Sequence, residues 1–199
     1  MSLKITPPIA SLLLMLFISL GCLAQETKPP IPKRVETDPQ TWKVYSSEVG
    51  GFSILFPDDP AMEQQLIDAA PNVQFKLEIC RYKKLAEYSV MYADYPIPVG
   101  DPAVAKSVLD NGAKGAVASM NSELLDYKEI ELDGRPGRYL KERMTGGEIM
   151  YAKMLLVGQR MFQIAITMPR DRDVSVETIK LFEPIPEKFL SSFKLLKKD

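Results

Sequence analysis

Chemistry in this chain has to be sought without histidine. The 199 residues contain none, which removes Ser-His and Cys-His nucleophiles, imidazole acid–base catalysis and His-ligated zinc, copper or haem. Two cysteines remain. Cys22 closes Ser19-Leu20-Gly21-Cys22, the form of a lipid-attachment signal in which Ser19 stands where Leu is usual. Cys80 ends the alternating run Val73 to Cys80. With no base to activate its thiol, it is expected to be a small, partly buried filler.

Other residue types offer weaker openings. Ser191-Ser192-Phe193-Lys194 has the S-x-x-K spacing of one class of serine nucleophile, but none of the accompanying motifs, and reads as the solvated end of a helix. Asp58-Asp59 and Asp171-Arg172-Asp173 could present carboxylates to calcium. Neither has the twelve-residue loop with its central Gly and distal Glu, so both read as loop acids. Paired carboxylates of the glycosidase kind depend on a separation that only the fold sets, and no pair stands out. Trp42, Tyr82, Tyr88, Tyr92 and Tyr95 fit a ligand platform or the filling of a sheet–helix interface, and the second is expected. Met150, Met154, Met161 and Met168 raise the idea of copper, yet their strand spacing places them on packing faces. No dinucleotide, Walker A, nucleophile-elbow or C-x-x-C motif occurs. No catalytic, cofactor-binding or metal-binding residue is therefore assigned, no cofactor is expected, and Cys22 is the one candidate for modification.

Composition agrees with a folded domain. The apolar fraction is 46% and the charged fraction 26%, as in ordinary globular proteins. Lys and Arg total 25 against 26 Asp and Glu, so no basic field exists to attract nucleic acid. The N-terminus carries Lys4, an apolar stretch from Ile9 to Leu20 and small residues at its exit. Those are the parts of an export signal, and the stretch is too short to span a bilayer. The expected organisation is a signal peptide over 1–24, cut before Gln25 or, in a lipoprotein, before Cys22. A Pro-rich tether over 25–41 follows, then one globular domain over 42–199.

Within that domain, Trp42 to Tyr45 and Phe52 to Phe56 flank Gly50-Gly51 and predict a hairpin, with Pro57 and Pro60 ending its second strand. Val73 to Tyr82 and Tyr88 to Ala93 predict two further strands. Asp101-Pro102 is the strongest helix start: an N-cap acid, then Pro at the first helical position. Ala105, Leu109, Ala113, Ala116 and Met120 form its apolar stripe, which ends near Asn121. A meander of four strands follows, with Asp133-Gly134, Gly146-Gly147 and Gly158-Gln159 as its turns and an edge or bulge at Pro136. Ile149 to Val157 is apolar enough to be a central strand covered on both faces. Two short helices split by Pro184 close the chain. The fold class is α+β, an antiparallel sheet with helices packed on it.

Four segments carry a family resemblance: Gly50 to Pro60, Leu132 to Arg138, Val157 to Phe162 and Phe189 to Lys194. In this order, over about residues 42–196, the chain resembles PsbP-like domains. The resemblance implies an α/β/α sandwich around a central antiparallel sheet. It also implies a non-enzymatic role, as in photosystem II extrinsic subunits, a Ran-binding protein and bacterial envelope lipoproteins. No catalytic residue carries over. The expectation is an exported binding or accessory protein of the periplasm or cell envelope, engaging another envelope or membrane-associated protein. If the chain is processed as a lipoprotein, its only expected contact with the membrane is a lipid on Cys22, and no nucleic-acid partner is expected. Carriage of a small apolar or lipid ligand between sheet and helix is the alternative, and a carboxylate-dependent hydrolase the third reading.

Overall fold

A computed structural model describes residues 42–70, 73–95 and 99–196. The expected signal peptide over 1–24 and tether over 25–41, with Cys22, and likewise Pro96 and Pro98, lie outside the described residues.

The first hairpin forms where the glycines place it. β1 (Lys43–Ser47) and β2 (Phe52–Phe56) pair antiparallel. Gly51 supplies φ +74° at the turn, and a Cβ on Gly50 would lie 2.5 Å from the Phe52 ring. The next element was not expected. Beyond Pro60 the chain enters β3 (Ala61–Ala70), which pairs with β4 (Val73–Lys83). The sequence AMEQQLIDAA has no clean alternation, because β3 is an edge strand whose Met62 and Leu66 side chains face solvent. Its partner's ladder, rather than a buried face, holds it in place. β5 (Glu87–Asp94) follows and pairs with β4.

α1 (Pro102–Ser119) begins as its cap predicts: the Asp101 carboxylate accepts hydrogen bonds from Ala103 N at 2.7 Å and Val104 N at 3.4 Å. Its buried stripe is Ala105, Val108, Leu109, Gly112, Ala113 and Ala116. Mostly small side chains let the helix lie close to the sheet. Asn121, at φ +47°, turns the chain out of the helix. β6 (Glu123–Leu132), β7 (Arg135–Arg143), β8 (Ile149–Val157) and β9 (Arg160–Met168) then form the expected meander. Asp133 and Gly134, at φ +51° and +74°, give the β6–β7 turn its left-handed pair. Pro136 lies just outside the stretch paired with β8, and the bulge falls instead at Leu124/Asp126 on the β6 edge.

These strands make one seven-stranded antiparallel sheet in the order β3-β4-β5-β9-β8-β7-β6. The strand covered most continuously is β9, buried from Met161 through Ile166, whereas β8 leaves Tyr151 and Lys153 half-buried. α1 packs on one face, over Leu77, Ile79, Leu140, Met154, Leu156 and Met161. The opposite face carries α2 (Val176–Phe182), α3 (Ile185–Ser191) and a small sheet in which β10 (Lys194–Leu195) joins the free side of β2. The architecture is thus α+β and layered as expected, with a second outer layer that mixes helices and strands. Aromatic rings dominate that layer's core. Phe52 stacks on Phe193 at 5.6 Å between centroids, and Phe162 meets both edge-on. Such pairs add about 0.5–1.5 kcal/mol each beyond their burial.

Two glycines give a direct test of this packing. At Gly137 a Cβ would stand 2.6 Å from the Met154 carbonyl oxygen and 2.6 Å from Leu155 Cδ2, so Gly137→Ala must push β7 from β8, at about 1–3 kcal/mol. Gly134→Ala meets open space and bears only the strain of positive φ, about 1 kcal/mol. Urea midpoints should fall further for Gly137→Ala; the reverse order would refute the close β7–β8 approach.

Candidate functional site

The fold separates the residues that looked chemical in the sequence. Cys80 is fully buried, its Sγ 3.8 Å from the Tyr45 hydroxyl. Burial pushes its thiol up to about 11, so it stays protonated and unreactive, as a filler should. Tyr88, Tyr92 and Tyr95 are buried and Tyr82 is half-buried. Trp42 meets Tyr88 edge-on at 5.6 Å and lies under the Lys188 ammonium at 4.5 Å. Trp42, Tyr82, Tyr88 and Tyr92 fill the interface between the large sheet and the layer of α3, and Tyr95 packs into the core on the α1 face. Ser191 donates to the Lys188 carbonyl at the end of α3, while Lys194 belongs to β10, paired with Ser53. Asp58 and Asp59 both pair with Lys43, at 2.7 and 3.0 Å, and Asp173 pairs with Arg170. Met154 and Met161 lie under α1, whereas Met168 is on the other face. Among the described residues no three His, Cys, Asp or Glu side chains converge as metal ligands.

The strongest polar cluster ties α1 to the meander. Arg138, 2% exposed, donates from Nε to Asp110 Oδ1 and to the Tyr127 hydroxyl, each at 2.7 Å. Tyr127 also donates to Asp110 Oδ1 at 2.8 Å. Lys106 Nζ lies 3.4 Å from Asp110 and pairs with Glu129. Burial alone would raise the Asp110 carboxyl, but the hydrogen bonds from Tyr127 and Arg138 outweigh it and hold the group below its ordinary value. A second cluster lies on the other face of the sheet. Arg160 grips Asp94 with two 2.7 Å bonds, donates to the Val49 and Gly50 carbonyls and lies over the Tyr92 ring. Both arginines stood in segments that carried the family resemblance. Their partners are internal, so what they do is brace the fold.

Space for an outside molecule lies elsewhere. Beside α2, a half-open groove of about 330 Å³ runs between the sheet and the C-terminal helices. Ile149, Met168, Ile179 and Phe182 form its apolar floor; Tyr151, Asp171, Thr178 and Glu183 add polar groups. Next to it, the β6–β8 face outside the helical layer carries Tyr139 and Tyr151, with Lys128 and Lys141 over their rings at 5.4 and 5.1 Å. On α2 itself Val176 and Leu181 are exposed. Sequence reasoning noticed only Asp171 and Met168 here. The groove exists because α2, a few residues beyond β9, comes to lie beside the end of the β8–β9 pair where Ile149 faces Met168, and no local pattern announces that.

No family model matches the chain, and no curated protein matches it. In structure it is similar to cyanobacterial PsbP (CyanoP) from Synechocystis sp. PCC 6803. That solution structure aligns with a TM-score of 0.54 at 16% identity, over 84% of this chain and 99% of that one. The chain therefore has a PsbP-like fold. At this identity the likeness is one of architecture, and no helix among the described residues is long and apolar enough to cross a membrane.

The Arg138–Asp110 pair predicts a pH signature. A carboxyl held below its unfolded value of about 3.9 stabilises the fold above that pH and loses the contribution as acid titrates it. Asp110→Asn should lower stability by about 2–3 kcal/mol at neutral pH, since it leaves the buried guanidinium with only the exposed Glu129 carboxylate, 3.7 Å away, as its anion. Wild type and variant should converge as the pH falls below about 4. Urea unfolding across that range checks both; a gap that stays constant into acid would refute the assignment.

Proposed function

We propose that this is an exported, non-enzymatic accessory protein of the cell envelope that acts by binding another envelope protein through the groove and exposed side of α2. The observation that carries the reading is a contrast between two sets of groups. Ionic side chains such as Arg138, Arg160, Lys43 and Asp110 are engaged inside the molecule. Apolar ones, Ile149, Met168, Ile179, Val176 and Leu181, gather in and around an open groove. Binding without turnover needs the second set and not the first. The PsbP-like fold and the export signal at 1–24 support the same reading. Cys22 would tether the domain through the 25–41 segment, because a diacylated N-terminus gives a durable hold on a bilayer.

A photo-reactive side chain at Leu181 should cross-link a discrete protein in the native envelope, and one at Lys114, exposed on α1, should not. Equal capture at both positions, or none at Leu181, would overturn the assignment of this surface. Feeding cells a palmitate analogue should label the wild type and spare Cys22→Ala. An unlabelled wild type means cleavage before Gln25 and removes the anchor.

The groove favours one competing reading. Its volume is at the small end of ligand pockets, so a carrier role would put a small apolar molecule there. It would not sit beneath α1, where side chains fill the interface. A small molecule retained in native mass spectrometry, and lost in Phe182→Ala, would replace the protein-binding proposal. Asp171 and Glu183 also line the groove. Turnover in a broad substrate screen that disappears in Asp171→Asn or Glu183→Gln would establish the hydrolase instead.

A further inference from the structure

The fold separates Met150 from Met154, Met161 and Met168 and gathers it with two other methionines instead. Met150 of β8 is buried at one end of the α1 face on a floor of Ala152 and Ala165. Met120, the C-cap of α1, and Met144, just beyond β7, pack against that same cluster. Three methionine side chains thus belong to one small cluster, from a helix end, a strand end and a strand. The segments carrying them are braced together. Thr145 Oγ1 donates to the Asn121 carbonyl at 3.2 Å, and Met144 N donates to the Glu148 carbonyl at 2.9 Å.

Glu142 belongs to this corner too. It is the register partner of Met150, points to the α1 face with Arg138 and Leu140, and is 0% exposed. Ser122 donates to its Oε2, while its buried Oε1 has no partner among the described residues. An orphaned carboxylate oxygen in the interior is costly unless a proton or a cation meets it. No Lys or Arg reaches it through a described ion pair.

We propose that Met120, Met144, Met150 and Glu142 form a binding site for one Cu(I) ion. Thioether sulfur is a soft neutral donor that selects Cu(I) over harder ions. One carboxylate balances one positive charge, so the loaded site is neutral in a buried setting. Calcium and magnesium would require six or more oxygens, and structural zinc prefers thiolate or imidazole. Met120 and Met144 are half-buried, which opens the corner to solvent for entry. The proposal stands apart from the accessory-protein reading: an ion here neither requires nor excludes a partner at α2.

The test uses protein produced from the full chain, with Cu(I) supplied anaerobically against a coloured Cu(I) chelator and Ag(I) as a redox-inert probe. One equivalent should bind. Met150→Leu and the Met120→Leu/Met144→Leu pair keep side-chain volume and should each weaken binding at least tenfold with an unchanged circular dichroism spectrum. Glu142→Gln should weaken it as well. The proposal is overturned if the wild type takes up no ion or if the leucine variants hold it as tightly. Uptake that depends on Cys22 or Cys80 in serine variants, and not on the methionines, overturns it equally.

Discussion

The ladder between β5 and β9 makes one sheet out of two. Apart from this ladder, β3 to β5 pair only with each other and β6 to β9 only with each other, and α1 lies between the two groups in the chain. Pairing from Glu87↔Thr167 to Asp94↔Arg160 joins the halves into seven strands. That contact is bought late, because it closes a loop of more than sixty residues, and loop closure must precede the gain from long-range pairing. It is accordingly reinforced at several levels. Tyr92 and Phe162 meet across it at 5.9 Å, and Asp94 and Arg160 lock its end with a two-bonded pair. Arg160 also reaches the Val49 and Gly50 carbonyls, drawing the small sheet's turn onto the same corner.

The segments that carry the family resemblance have this structural purpose. Leu132 to Arg138 supplies a left-handed turn, the close β7–β8 approach at Gly137 and the guanidinium that holds α1. Phe189 to Lys194 supplies Ser192, which accepts from Leu55 N at 3.1 Å and donates to the Phe189 carbonyl, and Phe193, stacked on Phe52. These segments encode turns and seams of a fold, and the likeness to cyanobacterial PsbP, at 16% identity, is likewise one of fold. They carry no information about what the surface touches.

The places where a second molecule could act are assembled from distant residues. The α2 groove takes Ile149 and Met168 from the sheet and Ile179 and Phe182 from the C-terminal helices. The methionine corner takes one residue from each of three elements, and its carboxylate from β7. In the sequence, Met120 reads as the last member of a helix stripe, and nothing singles out Glu142. Only the neighbouring strand and the helix end make Glu142 a buried, half-unpaired group.

Local chemistry was sufficient for the elements themselves. Asp101-Pro102 announces α1, Asp133-Gly134 the β6–β7 turn, and the Phe162, Ile164, Ile166 and Met168 alternation the face of β9 that meets the aromatic layer, since caps, turns and side-chain period are properties of neighbouring residues. Tertiary structure decided what those signals cannot reach: the edge strand β3, whose pattern is blurred because neither face needs to be wholly apolar, the addition of β10 to β2, and the meeting of β5 with β9. It also decided which polar groups are engaged and which are left over. Pairing across a sheet and burial beneath a helix depend on residues far apart in the chain, so the fate of Asp110, Arg138 and Glu142 becomes visible only once those residues are brought together.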